Sequence, residues 1–201
     1  ILAVVQGLTE FLPVSSSGHL VLFSHFLKLP SDVFLYLVLH VGTLLSVLVF
    51  FLKDILSLWK NRQLVRSLTL ATLITGSLGF FGRDFFLRFY EQVPVVVIAL
   101  AVNGVLLIVA NRRMKQAGDN DVSMTGASIM GLAQTGAIIP GISRSGSTIS
   151  SLLLMGVRRD EAFRFSFLAS IPLIIAAFIL EFHELPSLPP IWKWRTYTIG
   201  F

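Results

Sequence analysis

The sequence predicts an all-α polytopic membrane protein, an inverted-topology repeat whose two re-entrant helical hairpins meet near the bilayer midplane. Three observations carry that reading. The 201 residues are 54% hydrophobic and only 13% charged, about half the charged share of an average soluble domain, and the mean hydropathy is +0.80. Apolar runs of spanning length alternate with short charged loops. Two further apolar stretches are each interrupted by proline, glycine and serine instead of running through.

In chain order, the first element is an interrupted stretch. Residues 1–12 are apolar, Pro13 stops them, serines follow, and Gly18 opens a second piece ending near Lys28. Each piece is shorter than the roughly 20 residues needed to cross a bilayer, so the pair reads as a hairpin that dips in and returns. Residues 33–52, 67–81, 93–110 and 161–180 read as spanning helices. A second interrupted stretch, 122–139 and 146–157, breaks at Pro140 and Gly141. Within the spans, His40 reads as a packed, hydrogen-bonded helix histidine with a relay role as the rival reading. Asn103 reads as helix–helix glue. Glu161 and Arg164 read as capping the start of their helix.

The loops set orientation. Loop 53–66 holds Lys53, Lys60, Arg62 and Arg66 against Asp54 alone, and loop 111–121 holds Arg112, Arg113 and Lys115. Loop 82–92 balances Arg83 and Arg88 against Asp84 and Glu91. By the positive-inside rule the first two are cytoplasmic and the third outside, so the first hairpin enters from outside and the second from inside. The net charge of +5 then reflects loops facing an anionic leaflet, and nucleic acid is not an expected partner. The chain has no cysteine, which excludes a disulfide framework, a thiolate metal site and a cysteine nucleophile.

Laying Gln6 over Gln134 aligns QGLTEFLPVSSSGH with QTGAIIPGISRSGS without a gap, pairing Ser15 with Ser143, Ser16 with Arg144 and Gly18 with Gly146. The same register carries 33–52 onto 161–180. The chain is therefore one membrane domain, 1–201, with repeat one at 1–121 and a truncated repeat two at 122–201. Residues 195–201 overlay 67–73, so two further helices are expected beyond, preceded by an interfacial anchor at Trp192, Lys193, Trp194 and Arg195. A few residues are expected ahead of Ile1, and no removable signal peptide is evident.

The polar residues gather in the two breaks. Gln6 and Glu10 share a helix face, and Ser15, Ser16, Ser17, Gly18 and His19 follow at the next helix start. Glu10, Ser16 and His19 supply a carboxylate, a hydroxyl and an imidazole, the parts of nucleophilic or general acid–base chemistry. Arg144 lies between Ser143 and Ser145. A guanidinium at mid-bilayer costs roughly 2.5–3.5 kcal/mol, so it needs a partner: Glu10, a phosphate, or each in turn. Helix starts with hydroxyls beside them favour anions, which makes Ser15, Ser17, Gly18, Ser143, Ser145, Gly146 and Thr148 the candidate phosphate-binding set.

QGLTEFLPVSSSGH and PGISRSGST resemble the two signature motifs of the undecaprenyl-diphosphate phosphatases, the bacitracin-resistance proteins, and the likeness extends through EAFRFSFLASIP. The resemblance implies an inner-membrane hydrolase that converts undecaprenyl diphosphate to the monophosphate carrier of cell-wall synthesis. Glu10, Ser16, His19 and Arg144 fall on family positions regarded as catalytic, and Gln6 on a Glu-or-Gln position. The resemblance also implies a divalent cation, Mg²⁺ or Ca²⁺, with Glu10 and Gln6 as candidate ligands. With glutamine at position 6, such an ion relies on substrate phosphates and water. Either Ser16 or His19 is the nucleophile. The expected partners are a polyprenyl diphosphate lipid and the bilayer, with a homodimer left open, and the site is expected to open to the outer (periplasmic) side. A lipid-phosphate flippase or transporter of the same architecture is the alternative class.

Overall fold

The computed structural model describes residues 1–29, 32–114 and 118–183, without the side chains of 112–114. The anchor at 192–195 and the overlay at 195–201 lie outside the described residues. Those residues are all helical apart from turns and one isolated bridge between Asn120 and Val157. Four helices are long and apolar enough to cross a membrane: α3 (Val33–Phe50), α5 (Arg62–Phe81), α7 (Val93–Met114) and α10 (Arg159–His183). The shorter helices come in two pairs, α1 (Leu2–Thr9) with α2 (Ser16–Phe26), and α8 (Met124–Gly136) with α9 (Arg144–Leu154). The connections hold α4 (Leu52–Ser57) and α6 (Arg83–Leu87).

Capping moves several boundaries away from those expected from hydropathy. Asn61 accepts the Leu64 N–H on its Oδ1 at 3.0 Å, so α5 begins at Arg62 rather than near 67 and its first turn is polar. Most of the expected loop 53–66 is consequently helical. Ser15 and Ser143 cap α2 and α9 by accepting the N–H groups of Gly18 and Gly146. Both helices therefore start two residues ahead of the glycines, and Ser16 and Arg144 occupy first-turn positions.

Two apolar clusters hold the bundle. One gathers Ala127, Met130, Leu152, Phe165 and Ala169 from α8, α9 and α10. The other gathers Leu20, Val21, Tyr36, Leu39 and Val96 from α2, α3 and α7. Large apolar side chains such as Val49, Phe50, Phe81 and Ile98 face outward, as the surroundings of a membrane bundle require. Two ion pairs sit at the bundle ends: Arg164 meets Asp54 at 2.7 Å at one, and Arg83 meets Glu181 at 2.8 Å at the other. α7 packs against both α2 and α9, which brings the two short pairs to one long helix.

Candidate active site

The turns of the two pairs touch, and their contact builds the site. Ser15 adopts a left-handed backbone, φ 66°, costing about 1–2 kcal/mol for an L-residue. Four hydrogen bonds hold it there. Its Oγ accepts from the backbone N–H of Gly18 at 3.3 Å and of Gly141 at 3.1 Å. Its carbonyl accepts from the Nδ1 of His19 at 2.8 Å and from the His19 backbone N–H at 3.2 Å. Asn103 on α7 clamps both turns: Nδ2 donates to the Pro13 carbonyl at 2.9 Å, and Oδ1 accepts the Ser143 N–H at 3.1 Å. The glue expected of Asn103 thus joins the two breaks themselves.

Glu10, buried and first after α1, is the centre of the polar cluster. Its Oε2 accepts from Ser16 Oγ at 2.6 Å and from Gln6 Nε2 at 3.0 Å, and Arg144 Nη2 donates to its Oε1. Of the residues expected to react, the structure therefore joins Glu10, Ser16 and Arg144. The guanidinium is only half committed, because its Nη1 is buried without a partner. Arg144 also lines a cavity, together with Ser15, Ser16, Ser17, Ser143 and Ser145.

The imidazole beside Ser16 is His40, and the structure does not bring His19 into this cluster. The His19 ring turns back onto the Ser15 carbonyl and lines no part of the cavity. His40 Nδ1 lies 2.7 Å from the Tyr36 carbonyl. A carbonyl only accepts, so Nδ1 carries a proton. Nε2 lies 3.4 Å from Ser16 Oγ and 3.4 Å from Glu10 Oε2. From sequence this residue reads first as a packed helix histidine, with a relay role second. The signal for it is the polar stripe Tyr36, His40 and Thr43 along one face of a spanning helix, since such residues face the bundle interior.

The candidate phosphate-binding set divides. The serines above line the cavity, whereas Gly18, Gly146 and Thr148 do not. The N–H groups of the two glycines are taken by the capping serines, and Thr148 Oγ1 is occupied by the Arg144 carbonyl at 2.8 Å and Ser166 at 2.5 Å. The cavity measures about 370 Å³. From the polar end it runs along apolar walls of α3, α5 and α10 to a rim at Arg83, Tyr90 and Glu181. Burial, with Tyr36 and Glu181 nearby, pushes the Tyr90 phenol up to about 12, so it stays a neutral hydroxyl at the rim.

The residues present do not fit a metal ion held by the protein. No group of three or more His, Cys, Asp or Glu converges among the described residues. Glu10 is the one acid of the cluster, its two oxygens already receive three donors, and one of these is a guanidinium that would repel a dication. Gln6 offers a single oxygen, Oε1, which is buried and unpartnered.

A family model described as bacitracin resistance protein BacA matches residues 1–200. Among similar curated proteins, an undecaprenyl-diphosphatase of Alkaliphilus metalliredigens is 41% identical over 208 residues, covering 92% of this chain and 76% of the relative. One of Rubrobacter xylanophilus is 43% identical over 206 residues, covering 92% and 75%. One of Alcanivorax borkumensis is 37% identical over 215 residues, covering 100% and 81%.

Proposed function

Because the chain belongs to the bacitracin resistance protein BacA family, we infer that it is an integral-membrane undecaprenyl-diphosphatase. It releases inorganic phosphate and returns the monophosphate lipid carrier to cell-wall synthesis. One observation carries the assignment to particular atoms: a serine hydroxyl hydrogen-bonded to a buried carboxylate that is itself paired with a half-free arginine, at the polar end of an apolar cavity. The cavity is the size of a site for a head group and the start of a chain. The rest of the isoprenoid lies in the bilayer.

Arg144 takes the terminal phosphate on Nη1 and, as the phosphate draws the guanidinium, loosens its hold on Glu10. Glu10 Oε2 then becomes basic enough to accept the Ser16 proton. Ser16 Oγ attacks phosphorus, the anhydride P–O bond breaks, and the lipid monophosphate leaves. Water next attacks the phosphoserine, its proton returns to Oγ by way of Glu10, and phosphate is released. His40 Nε2 aligns the hydroxyl at the start. His19 serves by holding the left-handed Ser15, a positioning role. Any divalent ion would have to be held by the diphosphate's own oxygens, where it would offset their charge.

The reading of two hairpins entering from opposite leaflets, as halves of an inverted repeat, is part of this proposal. It is supported by the equal places of Ser15 and Ser143 as caps and by the meeting of the turns near the middle of α7. The family's role in recycling a cell-wall lipid carrier favours the plasma membrane, and the charge asymmetry that orients the loops favours an opening on the outer side.

Purified protein in detergent, with no gradient, is expected to release phosphate from a long-chain isoprenyl diphosphate. A chelator should suppress the release and Mg²⁺ or Ca²⁺ restore it. Glu10→Ala should lower kcat by at least about 10²-fold. A wild-type protein that moves lipid between leaflets and releases nothing would overturn the hydrolase reading in favour of a transporter. His40→Ala is expected to lower kcat by about tenfold, the worth of one hydrogen bond at a charged cluster, and His40→Gln to restore most of it. Unchanged kcat in His40→Ala would reduce the residue to packing.

A further inference from the structure

Gln134, on α8, is 2% exposed and is one of the residues that line the cavity. Both its amide nitrogen and its oxygen are buried with no hydrogen-bond partner. An amide left this way in a packed interior is stable only when something else completes it.

The surrounding helices do not complete it. Thr75 Oγ1, the nearby hydroxyl of α5, donates to the carbonyls of Gly131 at 2.9 Å and Ala71 at 3.1 Å. Ser170 Oγ, across the cavity on α10, donates to the Phe167 carbonyl at 2.6 Å. The α5–α8 seam is too tight to rearrange, since a Cβ at Gly131 would lie 3.0 Å from the Ala71 carbonyl oxygen. Gln6, which aligns with Gln134 in the other short pair, meets the Glu10 carboxylate four residues on and Thr43. Four residues after Gln134 stands Ile138, which cannot hydrogen-bond. The two glutamines hold matching places, and of the two only Gln134 lines the cavity and has neither polar atom bonded.

We propose that Gln134 is a substrate-binding residue that holds the phosphate remaining on the lipid. The proposal rests on the diphosphate reading above. The terminal phosphate is committed to Ser16 and Arg144, so the second phosphate lies further along the cavity, toward its apolar part. There Gln134 stands beside Gly76, Gly79, Ile138 and Leu173, a wall suited to the first isoprene unit. The amide nitrogen donates to a phosphoryl oxygen. The amide oxygen accepts from water carried with the charged head group.

Gln134→Met keeps length and removes both polar atoms. Gln134→Glu keeps the shape and sets a negative charge against the phosphate. In detergent, Gln134→Met is expected to raise KM for an isoprenyl diphosphate at least about tenfold, the loss of one hydrogen bond to a charged group, with kcat changed far less. Inhibition by isoprenyl monophosphate should weaken by a similar factor, and inhibition by inorganic phosphate, which occupies the Ser16–Arg144 seat, should not. Gln134→Glu should be weaker still, and it supplies the same readout if the methionine variant does not fold. Unchanged KM and inhibition in a folded Gln134→Met protein would end the proposal, whatever the unfolding midpoint. So would a loss confined to inorganic phosphate. A wild-type protein that binds the diphosphate without cleaving it, while Gln134→Met binds it less well, would sink the hydrolase reading and leave this one standing.

Discussion

Arg144→Lys is expected to lower kcat/KM for a long-chain isoprenyl diphosphate by roughly 10²–10³-fold, the usual loss when one donor to a developing phosphoryl charge is removed. The positive charge survives this substitution, so the loss isolates geometry. Arg144 uses one nitrogen on Glu10 Oε1 and keeps the other buried and unpartnered at the cavity. A lysine ammonium is a single point charge on a flexible stem and cannot hold the carboxylate and a phosphate along two fixed directions. It either stays on Glu10, leaving the phosphate loose, or follows the phosphate and abandons a buried carboxylate. Arg144→Ala is the poorer test, because an uncompensated buried Glu10 costs about 3–5 kcal/mol and confounds activity with folding. Steady-state phosphate release measured beside thermal unfolding separates the two. Wild-type kinetics in Arg144→Lys would remove the forked contact from the mechanism.

How much of this was legible before any coordinates depends on sequence distance. The two breaks announce themselves locally: Pro13 and Pro140 cannot continue a helix, and a serine followed three residues later by a glycine is enough to cap the next one. The register that lays Ser16 over Arg144 therefore matches where those residues sit in α2 and α9. Glu10 as the partner of Arg144 was also within reach, since a guanidinium at that depth needs an anion. What could not be read is which residues from other helices arrive. His40 is 24 residues from Ser16, and nothing in the local pattern says that α3 turns that face toward the first break. Asn103 clamps Pro13 and Ser143 from positions remote from both. The turn of the His19 ring onto the Ser15 carbonyl goes with a left-handed serine, which a sequence motif rich in serine does not announce. Gln134 is distinguished by the absence of partners, and absence is visible only once the neighbours are in place.

Gly18→Ala is expected to separate the two turns and, with them, the reacting groups. A Cβ at Gly18 would lie 2.7 Å from the Gly141 Cα, 2.9 Å from the Gly141 nitrogen and 3.2 Å from Leu100 Cδ2. The first two neighbours are backbone, so no side-chain rotation relieves them. Gly141 cannot retreat, because its own φ is +105° and a Cβ there would meet the Val96 carbonyl oxygen at 2.6 Å. The chain must therefore shift where Gly141 N–H reaches Ser15 Oγ. Overpacking of this kind costs about 1–3 kcal/mol, and a displacement near 1 Å between reacting groups costs about 10²-fold in rate. Activity should thus fall further than the unfolding midpoint alone explains. Gly7→Ala and Gly104→Ala are matched controls, since a Cβ at either meets nothing within 4 Å and each sits within a helix, where alanine is favoured by about 1 kcal/mol. Both should retain full turnover. If Gly18→Ala hydrolyses the lipid as well as these controls do, the contact between the two turns is not what aligns Ser16 with Arg144.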